Sequence, residues 1–275
     1  MKDCTRKNSD LPLDLAEFLG WHVGDGCISI NERYSEYSLT GDITEEYPFY
    51  KSIITPTFNT LFKHNLKKPI KLKKYASVGV CGIYVFDKKF VSNLQKKFSL
   101  ISGKKINIQI PANLNTKNQK KRFLRGLFDT DGSIYFCRSN AKTKKRSLCN
   151  IFHYKPKIKL ATISQILINQ VHKMLADLGF SPRLYTPRKQ RKNENFMYAV
   201  VLDTKKDTTK WIKEIGFRNR KHWTKIKIWQ KFGFCPPYTT LQERNKILKS
   251  ELNPVSFYQS CQQLTLNQIK SRLPQ

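Results

Sequence analysis

One segment of this 275-residue sequence occurs twice, and the distance between the copies limits the folds that the chain can adopt. The first copy, FLGWHVGDG, covers Phe18 to Gly26, and the second, LRGLFDTDG, covers Leu124 to Gly132. Each copy ends in Asp-Gly, and the two aspartates, Asp25 and Asp131, are 106 residues apart. A solenoid would repeat over a much shorter distance, whereas about 100 residues suit one compact domain. The repeat therefore predicts two related domains.

The patterns that follow the two copies have the same order. Each copy has a helical pattern that ends at its aspartate before a glycine stop signal, and Asp10 with Pro12 predicts the start of the first helix. Alternating apolar residues then predict strands, and longer periodic stretches predict helices. The first half is predicted to have strands at 27–30 and 37–43, a helix through 49–62, strands at 70–74 and 78–86, and a helix at 88–98. The second is predicted to have strands at 133–137 and 157–162, a helix at 165–178, strands at 183–188 and 197–202, and a helix at 205–215.

This order predicts an α+β fold of two pseudosymmetric αββαββα domains, each with a four-stranded antiparallel sheet. We divide the chain into a first half at 1–98, a linker at 99–120, a second half at 121–221 and a basic C-terminal extension at 222–275. Gly103 and Pro111 give the linker its composition, and Pro236-Pro237 interrupts the extension. The patterns leave the role of the extension open.

The charge of the chain indicates a polyanionic partner. Lys and Arg number 51 against 20 Asp and Glu, a net charge of +31, while 39% of the residues are hydrophobic. That much apolar sequence predicts a folded core rather than a disordered basic tail. Nucleic acid is the natural partner of such a surface. A ribosomal or packaging protein needs less core, and we find no basic amphipathic helix of the kind that binds membranes.

The cysteines and the chain ends indicate an intracellular protein. Seven scattered cysteines include no CxxC pair for zinc, and we predict reduced thiols. The first ten residues do not resemble an export signal, and the longest apolar stretch, Val78 to Phe86, is short and contains a glycine. A bacterial or archaeal cytoplasm and an organelle are equally compatible. The start at Met1 and the absence of a terminal asparagine favour a free-standing protein over an intein.

Small residues in the repeated segments predict a close contact between two helices. Gly20 and Gly24 lie one turn apart in the first copy, as Gly126 and Thr130 do in the second. Close packing would bring the helix ends together, with both aspartates near unpaired carbonyl groups at the negative ends of the helix dipoles. Oxygen ligands of this kind suit Mg²⁺ or a similar ion. The predicted metal ligands are Asp25, Asp131, Gly24 and Thr130.

Three other polar or aromatic residues in the copies need separate interpretation. Trp21 and His22 lie in an apolar helix, and we predict that both pack in the core. Asp129 is a candidate second acidic neighbour of Asp131, although Val23 occupies the matching place in the first copy.

Both copies resemble the LAGLIDADG signature, and the resemblance covers roughly residues 11–220. Trp21, His22 and Thr130 depart from the consensus letters. The resemblance implies a monomeric two-motif homing endonuclease, often intron-encoded, whose two sheets form a DNA-binding saddle. It implies hydrolysis of both strands of a long, nearly asymmetric DNA target, with Asp25 and Asp131 as catalytic residues and a divalent metal, most simply Mg²⁺, as cofactor. The family also places one basic residue near the end of each repeat, which implies catalytic roles for Lys105 and Lys221, and Glu45 matches a polar position in the cleft.

One face of each predicted sheet is left for the duplex, because alternate strand residues point to opposite sides. The basic segment 138–146 is expected to follow phosphates. The predicted DNA contacts are Ser29, Asn31, Ser38, Thr40, Lys71 and Lys73 in the first half, and Ser133, Arg138, Lys157, Lys159, Arg183 and Arg188 in the second.

Two other functions use the same scaffold. An RNA maturase would bind intron RNA and assist splicing without cutting DNA, and a DNA-binding regulator would retain a degenerate copy of the fold. The presence of both aspartates favours cleavage, because binding alone does not need an acidic pair.

Overall fold

A computed structural model of the protein describes residues 11–111, 114–139, 148–185, 195–258 and 265–273. The first half contains one helix that leads directly into a hairpin, a broken middle helix, a second strand pair and a closing helix. Its elements are α1 (Leu13–Asp25), β1 (Gly26–Ile30), β2 (Ser35–Asp42), α2 (Tyr47–Phe49), a π-helical turn (Tyr50–Ile54), α3 (Thr55–Leu61), β3 (Lys73–Tyr75), a 3₁₀ turn (Ala76–Val78), β4 (Val80–Val85) and α4 (Lys88–Phe98).

The second half repeats this order, and three further helices follow it within the described residues. A 3₁₀ turn (Lys105–Asn107) lies between the halves. The elements after it are α5 (Lys117–Thr130), β5 (Gly132–Cys137), a 3₁₀ turn (Leu148–Asn150), β6 (Lys155–Thr162), α6 (Gln165–Asp177), β7 (Arg183–Tyr185), β8 (Tyr198–Leu202), α7 (Lys205–Glu214), α8 (Arg220–Phe232), α9 (Leu241–Leu248), a 3₁₀ turn (Pro254–Phe257) and α10 (Leu266–Arg272).

The strands form two four-stranded antiparallel sheets of the same topology, β1-β2-β4-β3 and β5-β6-β8-β7. Cys27 pairs with Ser38 in the first sheet, and Ser133 pairs with Lys159 in the second. In each sheet the apolar positions alternate with polar ones, so that one face packs under the helices and the other stays open. The predicted α+β fold of two αββαββα halves is confirmed.

Helices α1 and α5 pack along their small residues at the centre of the molecule. A Cβ atom added to Gly20 would lie 2.2 Å from the carbonyl oxygen of Phe123, and one added to Gly126 would lie 2.1 Å from that of Glu17. Neither position has room for any side chain, because the obstructing atoms belong to the backbone. The buried Glu17 carboxylate closes the outer end of this contact with three ion pairs, to Arg122, Arg125 and Arg218.

Several details differ from the sequence patterns. Helix α1 begins after Pro12 without a side-chain cap, and Asp10 lies outside the described residues. Gly26 has an extended backbone rather than the left-handed one typical of a glycine that ends a helix. A glycine is nevertheless required there, because a Cβ would lie 2.4 Å from Nδ1 of His22. Ile30, at an apolar position of the predicted strand 27–30, is 46% exposed because it occupies the last pair of the β1–β2 hairpin.

The C-terminal extension packs against the second half. The Trp229 indole donates a hydrogen bond to the carbonyl oxygen of Tyr154 at 2.9 Å, and the rings of Phe152 and Phe234 lie 4.6 Å apart. The predicted boundaries at 120/121 and 221/222 fall inside α5 and α8. No described helix has both the length and the apolar character that crossing a membrane requires.

Candidate active site

The ends of α1 and α5 bring Asp25 and Asp131 to one place on the open side of the molecule. Asp25 is the last residue of α1, and Asp131 caps the end of α5. A Cβ added to Gly24 would lie 3.4 Å from the amide nitrogen of Asp131 and 2.0 Å from the hydroxyl oxygen of Thr130. The absence of a side chain at Gly24 therefore allows the two acid-bearing helix ends to adjoin.

Two side chains complete this site, Tyr50 from the middle helix of the first half and Glu46 from the turn before it, and the sequence patterns did not identify either. The hydroxyl group of Tyr50 donates a hydrogen bond to Oδ2 of Asp25 at 2.9 Å. Tyr50 begins the π-helical turn, an irregularity that is frequent at functional sites. Glu46, one turn earlier, is 6% exposed and accepts a hydrogen bond from the Asp42 amide at 3.0 Å.

The predicted lysines lie at the ends of the same two helices. The Lys105 ammonium group donates hydrogen bonds to the carbonyl oxygens of Gly24 and, at 3.4 Å, Val23. The Lys221 ammonium group donates to the carbonyl oxygen of Thr130 at 2.9 Å and forms an ion pair with Glu46 at 2.7 Å. Each helix end thus has a positive charge at its negative dipole, which is the favourable arrangement.

The electrostatic environment favours the neutral form of the two aspartates. Loss of hydration and the neighbouring carboxylates of Glu46 and Asp131 raise the pKa of Asp25 to about 8, against the opposing effects of Lys221 and Tyr50. Loss of hydration also raises the pKa of Asp131, although Lys105 and Lys221 oppose the shift. A cation between the carboxylates would remove this repulsion, so the site has the electrostatics of a cation-binding centre.

Asp129 has a structural role rather than a place beside Asp131. Its buried carboxylate accepts hydrogen bonds from the backbone amides of Arg218 and Asn219 at 2.9–3.0 Å. Asn219 in turn caps α8 and donates a hydrogen bond from its side chain to Glu46 at 2.9 Å. Asp129 therefore fixes the start of the helix that carries Lys221.

The predicted cleft residue Glu45 faces away from the aspartates, and Glu46 takes its place. Glu45 forms an ion pair with Arg244 of the extension and accepts a hydrogen bond from the amide of Leu241 at 2.6 Å. The carboxylate of Asp42 accepts hydrogen bonds from the backbone amides of Thr44 and Glu45 and so fixes the conformation of this turn. The family resemblance implied the cleft position one residue too early, because the Asp42 turn directs Glu46 rather than Glu45 towards Lys221.

The donors present fit a hard cation with open positions for further oxygen ligands. Within the described residues, no group of three or more His, Cys, Asp or Glu side chains is arranged to hold a metal ion. The available donors are the two aspartates and the carbonyl oxygens of Gly24 and Thr130, which now accept lysine ammonium groups. Such oxygen donors suit Mg²⁺ or a similar ion that keeps positions for water and phosphate.

Most of the predicted DNA contacts lie on the open faces of the sheets. Ser29, Ser38 and Thr40 project from the first sheet beside Lys73, and Ser133, Lys157, Lys159 and Arg183 project from the second. Lys71 and Arg138 are exposed next to the strands. The side-chain oxygen of Asn31 instead accepts hydrogen bonds from the backbone amides of Arg33 and Tyr34 in the β1–β2 turn. Arg188 and residues 140–147 lie outside the described residues.

Comparisons with known proteins agree with this architecture. Residues 118–216 match the family described as a LAGLIDADG-like domain. The structure is similar to I-DmoI crystallised with DNA and Mn, at 18% identity and a TM-score of 0.50, covering 74% of this chain and 96% of that one. It is also similar to the meganuclease I-SmaMI bound to uncleavable DNA, at 12% identity and a TM-score of 0.52, covering 91% and 97%. No curated protein matches the sequence. The family resemblance is confirmed.

Proposed function

Because residues 118–216 match the LAGLIDADG-like domain family and the chain has the two-half LAGLIDADG homing endonuclease fold, we propose that the protein is a metal-dependent, site-specific DNA endonuclease. The observation that carries the proposal is the meeting of two helix ends that bear two aspartates and whose carbonyl groups accept two lysine ammonium groups from other elements. The Gly24 and Thr130 carbonyl oxygens accept the ammonium groups of Lys105 and Lys221 beside Asp25 and Asp131.

Asp25 and Asp131, with the Gly24 and Thr130 carbonyl oxygens, would hold a divalent cation, most simply Mg²⁺. When bound, the cation supplies Lewis-acid chemistry for phosphodiester hydrolysis. The side chains themselves supply orientation and charge. Tyr50 orients the Asp25 carboxylate through its 2.9 Å hydrogen bond. Lys105 and Lys221 offset the negative charge that grows on the phosphate.

The open faces of the two sheets would lie in the major groove of the DNA on either side of the cut site. Two such sheets cover about two helical turns of the duplex, each of about 10 base pairs. The half-buried face residues differ between the halves, with Ser38 and Thr40 in the first sheet and Lys157 and Lys159 in the second. The target is therefore long and nearly asymmetric. One chain supplies both halves, so the protein acts as a monomer.

The test is cleavage of a DNA duplex that joins the two genomic sequences flanking the gene segment that encodes this protein. A pool of duplexes with randomised sequence is tested in parallel. Wild type should cut both strands in Mg²⁺, whereas Asp25→Asn and Asp131→Asn should each lose about 100-fold or more in rate because metal binding is impaired. Asp177→Asn is the matched control, because Asp177 is exposed on α6.

Two outcomes would contradict the proposal in different ways. If either active-site variant cuts both strands at the wild-type rate, the assignment of the aspartates is wrong. If the wild-type protein binds intron RNA and cuts no duplex, the maturase function replaces the endonuclease function.

A further inference from the structure

We infer that the C-terminal extension is part of the active site, with Arg244 and Glu45 as positioning residues for the Lys221–Glu46 pair. The inference rests on the proposed endonuclease function and assigns a role to a segment that the repeated halves do not contain. Arg244 lies in α9, outside both repeats, and is only 1% exposed.

The guanidinium group of Arg244 joins three parts of the molecule. Its Nε donates a hydrogen bond to the hydroxyl oxygen of Thr224 on α8 at 2.9 Å, and another of its nitrogens donates to the carbonyl oxygen of Thr239. The third contact is the ion pair with Glu45, from the turn between β2 and α2 of the first half. A planar group with five N–H donors on three nitrogens can make all three contacts at once, whereas a lysine would have to reach all three acceptors from a single nitrogen.

These contacts lie directly behind the pair at the active site. Thr224 follows Lys221 by three residues, about one turn along α8, and Glu45 adjoins Glu46 in the chain. Arg244 therefore holds both partners of the Lys221–Glu46 ion pair, one through the helix and the other through the turn. The Lys221 ammonium group reaches Thr130 beside Asp131 only while this helix keeps its place.

The carboxylate of Glu45 is well matched to this role. It accepts the amide of Leu241, the first residue of α9, at 2.6 Å, where the helix dipole is positive. Glu45 thus ties the first half to the start of α9 as well as to Arg244. Removing either charge would leave its partner poorly compensated, and Arg244 is too deeply buried to be hydrated instead.

A positioning role and a merely structural role predict different results in a double-mutant cycle. Arg244→Lys and Glu45→Gln are made in the wild-type chain and again in a Glu46→Gln background, and single-turnover cleavage and DNA affinity are measured with the full-length protein. If Arg244 acts through the Lys221–Glu46 pair, its replacement matters much less once Glu46 has lost its charge. A loss caused by general destabilisation would be the same in both backgrounds.

We expect Arg244→Lys and Glu45→Gln to lower the cleavage rate about tenfold or more in the wild-type background and less than about twofold in the Glu46→Gln background, with DNA affinity nearly unchanged. Glu251→Gln is the control, because Glu251 forms only a loose surface pair with Lys249 at 3.9 Å in the same extension. Wild-type cleavage by Arg244→Lys and Glu45→Gln, or equal losses in both backgrounds, overturns the inference.

A milder variant covers the case in which these replacements prevent folding. Thr224→Val keeps the shape of the side chain and removes its hydroxyl group, which accepts the Arg244 Nε hydrogen bond and donates to the carbonyl oxygen of Arg220 within α8. It should lower the cleavage rate while DNA affinity stays the same, and normal cleavage by a folded Thr224→Val protein overturns the inference. Failure of the wild-type protein to cut any duplex would instead count against the proposed function.

Discussion

At the scale of single residues, His22 shows how the motif helix uses a titratable side chain as a core residue. Its ring stacks on Tyr37 with 5.7 Å between centroids, and only 2% of the residue is exposed. Burial, with a smaller effect of Lys105, lowers the pKa of His22 to about 3 from an ordinary value of 6.5. The folded protein therefore excludes a proton that the unfolded chain accepts below pH 6.5.

This difference predicts a loss of stability in mild acid. The contribution of neutral His22 to stability is complete above pH 6.5 and is lost as the pH falls from 6.5 towards 3. The loss is about 2 kcal/mol at pH 5. His22→Phe retains a ring against Tyr37 and cannot be protonated. In urea unfolding at pH 7.5 and pH 5, wild type should lose about 2 kcal/mol more than His22→Phe.

The control is His64→Gln, because His64 is exposed and its replacement leaves the core intact. Its change in stability between the two pH values should equal that of wild type. Equal pH dependence in wild type and His22→Phe would show that His22 is protonated in the folded protein or hydrated in a more open core.

The residue scale also shows where prediction from sequence ends. The repeat predicted Asp25 and Asp131, and the family resemblance implied Lys105 and Lys221. The structure brings these four residues to the same two helix ends. Tyr50 has no such signal, because its contact with Asp25 depends on how the middle helix packs on α1. Long-range packing, rather than local pattern, decides which polar side chain reaches a site.

At the scale of elements, the α1–α5 contact determines the distance between the acidic helix ends. Gly20 and Gly126 face backbone atoms across this contact, so neither helix can yield by rotating a side chain. Enlarging one of these residues must separate the helices. The expected consequence is a loss of both stability and the geometry at Asp25 and Asp131.

Gly20→Ala tests this directly. Alanine in place of glycine inside a helix ordinarily stabilises it by about 1 kcal/mol, but here a Cβ 2.2 Å from the Phe123 carbonyl oxygen should instead lower the free energy of unfolding by about 1–3 kcal/mol. Cleavage should fall more than DNA binding, because the open sheet faces are not altered. Urea unfolding and single-turnover cleavage are the measurements.

Ala176→Ser is the control for a small enlargement, because Ala176 is exposed on α6. It should leave stability within about 0.5 kcal/mol of wild type. A Gly20→Ala protein that is more stable than wild type would mean that the α1–α5 contact has room for a methyl group and that helix propensity alone governs this position.

Elements with strong hydrophobic periodicity were predicted with nearly correct bounds, whereas elements whose bounds depend on the packing of adjacent elements were not. Helix α4 begins and ends where its pattern predicts, with Asp87 as its cap. Strand β3 covers only Lys73–Tyr75 because it lies at the edge of the sheet and pairs with β4 alone. The π-helical turn at Tyr50–Ile54 keeps apolar residues on the core side and so resembles an ordinary helix in sequence.

At the scale of the whole molecule, the two open faces carry unequal charge. In the second sheet the face includes Lys155, Lys157, Lys159 and Arg183, whereas hydroxyl groups prevail on the first. Asp203 pairs with Lys157 at 3.8 Å and with Arg183 at 3.4 Å and so offsets part of the charge. Lys159 forms no salt bridge within the part of the chain that the structure describes, which leaves its ammonium group for a phosphate.

Lys159→Met should therefore weaken DNA binding through the loss of one phosphate contact. Each such contact releases counterions, so the slope of log affinity against log salt concentration should become shallower by about 1. Fluorescence anisotropy with the target duplex in Ca²⁺, over a range of salt concentrations, measures both affinity and slope.

Lys173→Met is the matched control, because Lys173 is exposed on α6, on the helical side of the same sheet. Its affinity and slope should match those of wild type. An unchanged slope for Lys159→Met, or an equal change for Lys173→Met, would mean that the net charge of the chain, rather than the open face of the second sheet, governs binding.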